Sequence, residues 1–147
     1  MTLRNRLTEE MKAALKARDD LRLSAIRMIR AAASNREIEL KRELGDPEIQ
    51  EIIATLVKQR REAIRLFQEG GRQDLVAKEE RELSILLGFL PQQLNREEVR
   101  ALVVQAIAAS GAQGSKDLGS VMKLVMPQVA GRADGKLVNE VVRELLP

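Results

Sequence analysis

The sequence predicts an all-α protein. Apolar residues recur at helical spacing nearly throughout, and no window long enough for a strand shows apolar–polar alternation of period two. The breaks between the apolar stripes carry capping and stopping residues. With 147 residues, 44% of them hydrophobic, the chain suits one domain or two small ones and can bury a sizeable core.

Thr2 can cap a first helix whose stripe is Leu3, Leu7, Met11 and Leu15. Asp19 and Asp20 open a second, running to about Glu43 with Ile26, Ile29, Ala33, Leu40 and Leu44 on one side. Gly45-Asp46-Pro47 then combines a stop, a cap and a first-turn proline. A third helix carries Ile49, Ile53, Leu56, Ile64 and Phe67 as far as Gly70-Gly71, and a fourth carries Leu75, Leu83, Leu86 and Leu90 up to Pro91. From Pro91 to Asn95 the chain turns polar, which places a domain boundary there and gives domains 1–92 and 93–147. Asn95 and Glu98 form a capping box for a fifth helix that ends near Gly111. Two short helices follow. One carries Val121, Met122 and Val125 and ends before Pro127; the other carries Leu137, Val138, Val141, Val142 and Leu145.

Composition removes most catalytic chemistry. The chain has no Cys, His, Trp or Tyr, so thiol nucleophiles, imidazole bases, disulfides and the usual zinc and haem sites are excluded. Adjacent pairs such as Glu79-Glu80 diverge by about 100° on a helix and do not converge on one substrate atom. Ser115 reads as a helix cap, and no glycine-rich nucleotide loop occurs. No catalytic residue, cofactor or metal is expected. The 25 Lys and Arg against 22 Asp and Glu leave a net charge of +3, which permits a nucleic-acid partner without demanding one. Aromatic stacking on bases is nearly unavailable with Phe67 and Phe89 as the only aromatics. The amino terminus lacks an apolar signal-type core and the apolar stretch 83–90 is broken by Ser84 and Gly88, so the expected location is the cytoplasm, with no membrane contact.

Several charges break the helical pattern. Arg22 and Arg36 fall within the angular range of Ile26, Ile29, Ala33 and Leu40, Arg60 sits among Ile53, Leu56 and Ile64, and Glu79 and Glu82 share the side of Leu75, Leu86 and Leu90. Such groups should find each other across helices, as structural ion pairs, as arginine stems reaching out from the core edge, or as a polar pocket for a carboxylate or phosphate. The first thirty residues are the most basic window, with eight positive against four negative side chains, consistent with a solvated face or a nucleic-acid contact. The segment 114–136 combines Gly114, Gly119, Gly131 and Gly135 with Lys116, Lys123, Arg132 and Lys136. Helix starts at Ser115 and Asp134 would aim backbone amides outward, so phosphate contact stands beside ordinary turn chemistry there.

The run Asp117-Leu118-Gly119-Ser120-Val121-Met122-Lys123, then Met126-Pro127 and Gly131-Arg132-Ala133-Asp134-Gly135-Lys136-Leu137-Val138, resembles the signature of the GatB/YqeY domain family. Upstream, Gln59-Arg60-Arg61-Glu62, Gly71-Arg72-Gln73-Asp74-Leu75, Glu79 and Leu90-Pro91 resemble YqeY-like proteins, so the likeness covers essentially the whole chain. It implies a four-helix amino-terminal domain joined to a three-helix domain similar to the tail of GatB. GatB is a subunit of the glutamine-dependent amidotransferase that converts misacylated Glu-tRNA or Asp-tRNA to the amide form. The resemblance implies tRNA as a partner, with Lys116, Lys123, Arg132 and Lys136 at the positions that would engage it. GatB's chemistry belongs to a cradle domain, and the glutaminase to GatA; this chain resembles neither. The expected function is therefore a non-catalytic tRNA-associated module. Its alternatives are a module docking on an aminoacyl-tRNA synthetase or amidotransferase, or an accessory part of a carbon–nitrogen ligase with glutamine as amido donor.

Overall fold

The computed structural model describes residues 1–146. Among them are seven α-helices and no strand: α1 (Leu3–Ala17), α2 (Asp20–Leu40), α3 (Asp46–Glu69), α4 (Gln73–Leu87), α5 (Arg96–Ser110), α6 (Leu118–Val129) and α7 (Gly135–Leu145), with a 3-10 turn at Ser115–Asp117 before α6. They pack into two compact units, Met1–Leu90 and Pro91–Pro147, the first built from α1–α4 and the second from α5–α7.

In the first unit, Thr2 Oγ1 accepts the Asn5 N–H at 3.1 Å, and the Asp46 carboxylate at the start of α3 accepts the Leu3 N–H at 3.1 and 3.2 Å. Two helix starts are thereby tied together by one side chain, using donors that α1 leaves unsatisfied. The α1 stripe differs from the sequence expectation at its end. Leu15 is 50% exposed, and Ala14 at 2% takes the buried place. Four residues advance a helix by about 400°, so three such steps carry Leu15 about 120° from Leu3, whereas Ala14 returns to within about 20°.

The second helix stops at Leu40, short of Glu43, because Lys41 turns left-handed (φ 56°). Leu44 still enters the core, but from the turn, its N–H donating to Glu37 Oε2 at 2.9 Å. Gly45 has no side chain to cap α3; Glu48 reaches back instead and accepts the Gly45 N–H at 3.2 Å. Ile26, Ile29, Ile49, Ile53 and Leu86 form the centre of this core, and Phe89, beyond the end of α4, closes one side of it. The Arg6 guanidinium lies 4.8 Å over the Phe89 ring and donates to the Gly88 carbonyl at 2.8 Å.

The second unit has a core dominated by valine: Val99 and Val103 from α5, Val121, Val125 and Val129 from α6, and Val138, Val141 and Val142 from α7. Valine is an indifferent helix former, so these helices depend on mutual burial more than on propensity. Pro127 lies inside α6, not beyond it. The helix continues for its last turn because Val129 completes the i, i+4, i+8 row with Val121 and Val125 and is fully buried. That burial offsets the hydrogen bond the proline cannot donate.

Candidate functional site

The five charges that the helical spacing turns inward fall into three separate groups, all in the first unit. Arg60 Nη1 on α3 donates to Glu79 Oε2 and Glu82 Oε2 on α4, both at 3.2 Å. This is the most enclosed cluster: Glu82 is the one buried charged residue among those described, and the Arg60 side chain is 24% exposed. Arg60 Nε is buried there without a hydrogen-bond partner. Arg22 joins a different group, its Nη1 donating to Glu10 Oε1 at 2.9 Å while Arg6 Nε donates to the other oxygen of Glu10 at 2.6 Å.

Arg36 departs from the inward position its sequence spacing suggests. It is solvent-exposed and pairs with Glu39, three residues along the same helix, at 2.7 Å. Arg36 sits about 60–80° round α2 from Ala33 and Ile26, at the edge of the buried stripe, and its long stem lets the guanidinium leave that edge for water.

The four cations of the second unit are differently engaged. Lys116 lies exposed in the 3-10 turn, Lys123 on the side of α6 opposite Val121 and Val125, and Lys136 on the side of α7 opposite Val138 and Val142. Arg132 is half-buried and works as a brace. Its Nε donates to the Gln92 carbonyl at 3.4 Å, and its own carbonyl accepts the Leu94 N–H at 2.7 Å. Gln93 Nε2 donates to the neighbouring Gly131 carbonyl at 2.8 Å, so the strap 92–94 is stitched to the turn after α6.

Some of the amides at these two turns are already partnered. Ser115 is not a cap; Asp117 Oδ2 accepts the Gln113 N–H at 3.0 Å, and Asp134 Oδ1 accepts the Lys136 N–H at 3.1 Å at the start of α7. An aspartate at each turn also places negative charge where an anion would approach.

One feature of the first unit escaped the sequence reading. A cleft of about 230 Å³ opens between α1 and α2, with Arg4 and Thr8 on one wall, Arg30, Ser34 and Glu37 on the other, and apolar side chains beneath. Arg4 is salt-bridged to Glu37. The Leu44 N–H holds the Glu37 carboxyl below the usual carboxylate range, and Arg4 acts in the same direction. Arg30 Nη1 contacts only the Met11 thioether, at 2.9 Å. Arg4 and Thr8 (i, i+4) and Arg30 and Ser34 (i, i+4) were readable as helix neighbours, but their meeting across the hairpin depends on its register.

Among the described residues no helix is long and apolar enough to cross a membrane, and no group of three His, Cys, Asp or Glu could hold a metal ion.

The molecule is thus an all-helical protein of two units, each with its own apolar core and with charge clusters at its surface. The model of the family described as Yqey-like protein matches residues 4–146, and the chain belongs to that family. Curated relatives share the name Altered inheritance of mitochondria protein 41, mitochondrial. The one from Kluyveromyces lactis is 35% identical over 135 residues, 88% of this chain and 68% of the relative. That from Pyrenophora tritici-repentis is 28% identical over 144 residues, 96% of this chain and 79% of the relative. That from Lachancea thermotolerans is 33% identical over 87 residues, 58% of this chain and 46% of the relative. These names overturn the expectation of a cytoplasmic location. That expectation leaned on the lack of an apolar leader, which has no bearing on mitochondrial import, because import sequences are amphipathic and arginine-rich.

Proposed function

We propose that this chain is a non-catalytic tRNA-associated module whose second unit touches phosphates through lysine side chains. The observation that carries the proposal is the exposure of Lys116 and Lys123, neither of which has a carboxylate partner among the described residues. Lys136 adds a third exposed cation to the same unit. Solvated, unpaired lysines are free to displace counterions from a nucleic-acid backbone, which is the main source of such affinity. The likeness of the 117–138 motif to the tail of GatB supports tRNA as the form of that backbone. Lysine tips, not helix-start amides, make the contact in this reading, and Arg132 contributes only what its brace to Gln92 leaves over. The two units act as separate domains, divided between Leu90 and Pro91, and the names of the relatives support a mitochondrial location.

Filter binding of tRNA over a range of salt tests the reading. A Lys123→Ala, Lys136→Ala variant should bind more weakly, and the magnitude of its slope of log affinity against log salt should fall by up to about two. Unchanged affinity and slope, with the helical circular dichroism intact, would transfer support to a docking module for a synthetase or amidotransferase. That second reading is favoured by Val104 and Leu124, large apolar side chains left exposed in this unit. An accessory role in a carbon–nitrogen ligase is the third. Purified chain supplied with Glu-tRNA, glutamine and ATP should not transamidate, and turnover abolished by a point substitution in the chain would falsify the non-enzyme reading.

A further inference from the structure

We propose that the α1/α2 hairpin of the first unit is a second contact surface for an RNA phosphate backbone, with the cleft beside Arg30 at its centre. The proposal rests on the RNA reading above for its ligand, but not for its location. It starts from charge pairing. Most arginines of the first unit have a carboxylate within salt-bridge distance: Arg4, Arg6, Arg22, Arg42, Arg60 and Arg65 among them. Arg18, Arg27, Arg30 and Arg81 have none among the described residues, and all four are exposed. The first three belong to one hairpin, Arg18 at its turn and the other two on α2, while Arg81 stands alone on α4.

Side-chain contacts give the register of that hairpin. Arg4 meets Glu37 and Met11 meets Arg30, so α1 and α2 run antiparallel and these four residues share one side of the pair. Glu10 and Arg22 meet on the other side. On α2, Arg27, Arg30 and Ser34 are spaced i, i+3 and i+7 on one face, and Arg30 and Ser34 line the cleft. From Arg4 to Arg18 the hairpin extends about 21 Å at 1.5 Å per residue. That length spans on the order of six steps of a helical nucleic-acid strand at 3.4 Å each.

The chemistry suits phosphodiesters. A guanidinium held only by a thioether, a weak acceptor, keeps most of its N–H donors for an incoming oxygen. The one carboxylate of the cleft, Glu37, is already engaged by Arg4 and by the Leu44 N–H, so a phosphate beside Arg30 meets a neutralised neighbour. A cleft between two walls fits a thread-like polyanion better than the flat plane of lipid headgroups.

The test uses the full chain, a single-stranded RNA of about 20 nucleotides, bulk tRNA and phosphatidylserine vesicles. An Arg18→Gln, Arg27→Gln, Arg30→Gln variant should keep its circular dichroism, since the three side chains are exposed, and should lower the magnitude of the salt slope on the single strand by up to about two. Ser34→Lys adds a cation to the same face and should raise that magnitude by about 0.7. If both variants match wild type while Lys123→Ala, Lys136→Ala flattens the slope, the hairpin surface is overturned and the second-unit contact stands. If the arginine variant flattens the slope and the lysine variant does not, the hairpin stands and the second-unit reading fails. Wild-type protein that binds the vesicles but neither RNA at low salt overturns the inference in favour of a lipid surface.

Discussion

Single residues differ in consequence according to whether their charge has a partner out of water. Arg60 bridges two glutamates, and its removal leaves the buried Glu82 beside Glu79 without a cation. Arg60→Ala should destabilise the protein by about 2–3 kcal/mol in urea unfolding, less than a fully buried pair because the arginine is partly wet. Arg36→Ala should change stability by less than about 0.5 kcal/mol, since its pair with Glu39 is exposed. A loss for Arg36→Ala as large as that for Arg60→Ala would contradict the burial assigned to each. Acid behaviour also resides in single carboxylates. Arg42, with help from the Gly45 N–H, lowers the Glu48 carboxyl to about 2 from an ordinary 4.5, and Arg72 lowers Asp74. A depressed carboxyl adds stability that is complete above its unfolded value and gone once pH has fallen through its folded one. The thermal midpoint should therefore fall between about pH 4.5 and pH 2 and stay nearly level from pH 5 to 8, where a chain without histidine has almost nothing to titrate. Glu48→Gln should lower the midpoint at pH 6 and flatten the acid limb. An acid limb as steep as that of wild type would show that Glu48 does not contribute to it.

Helix ends are where elements can be tuned. Lys41 closes α2 with φ 56° and Arg18 closes α1 with φ 55°, a conformation that strains any residue with a Cβ. Lys41→Gly should raise stability by about 0.5 kcal/mol, the relieved strain exceeding the entropy that glycine adds to the unfolded chain. Gly111 is the reverse case. It ends α5 at φ +68° with open space around it, so Gly111→Ala should destabilise by about 1 kcal/mol through backbone strain alone. Thermal melts of the two variants should move in opposite directions; shifts of the same sign would contradict the cap geometry. These stops were partly legible. Gly111 was readable as the end of α5, because glycine is the residue that tolerates the left-handed cap. Lys41 was not, since nothing local distinguishes it from its neighbours; the Glu37–Leu44 hydrogen bond turns the chain there.

For the whole molecule, the separation into two units has a thermodynamic consequence. Each carries its own apolar cluster, isoleucine- and leucine-rich in the first and valine-rich in the second. A cut in the segment 91–95 should release two pieces that each keep helical circular dichroism, and calorimetry of the intact chain should resolve two transitions. A single transition, with both pieces unfolded after cutting, would refute independent folding.

The all-helical class was decided by the sequence alone, because the 3.6-residue period, the Thr2 and Asn95 caps and the proline and glycine stops are properties of a few neighbouring residues. The absence of His and Cys, and with it of imidazole and thiol side chains, is likewise a property of the sequence alone. The angle of Arg60 and Glu82 on their own helices could be read as inward, because each lies among apolar neighbours in its own stripe. Which arginine meets which carboxylate was decided only by tertiary structure. A stripe reports the direction a side chain leaves its helix, but not the register at which two helices pack or the path of a turn. Register places Arg22 on Glu10, Arg4 on Glu37 and Arg30 on a thioether, and it alone separates the cations paired with a carboxylate from those that are not.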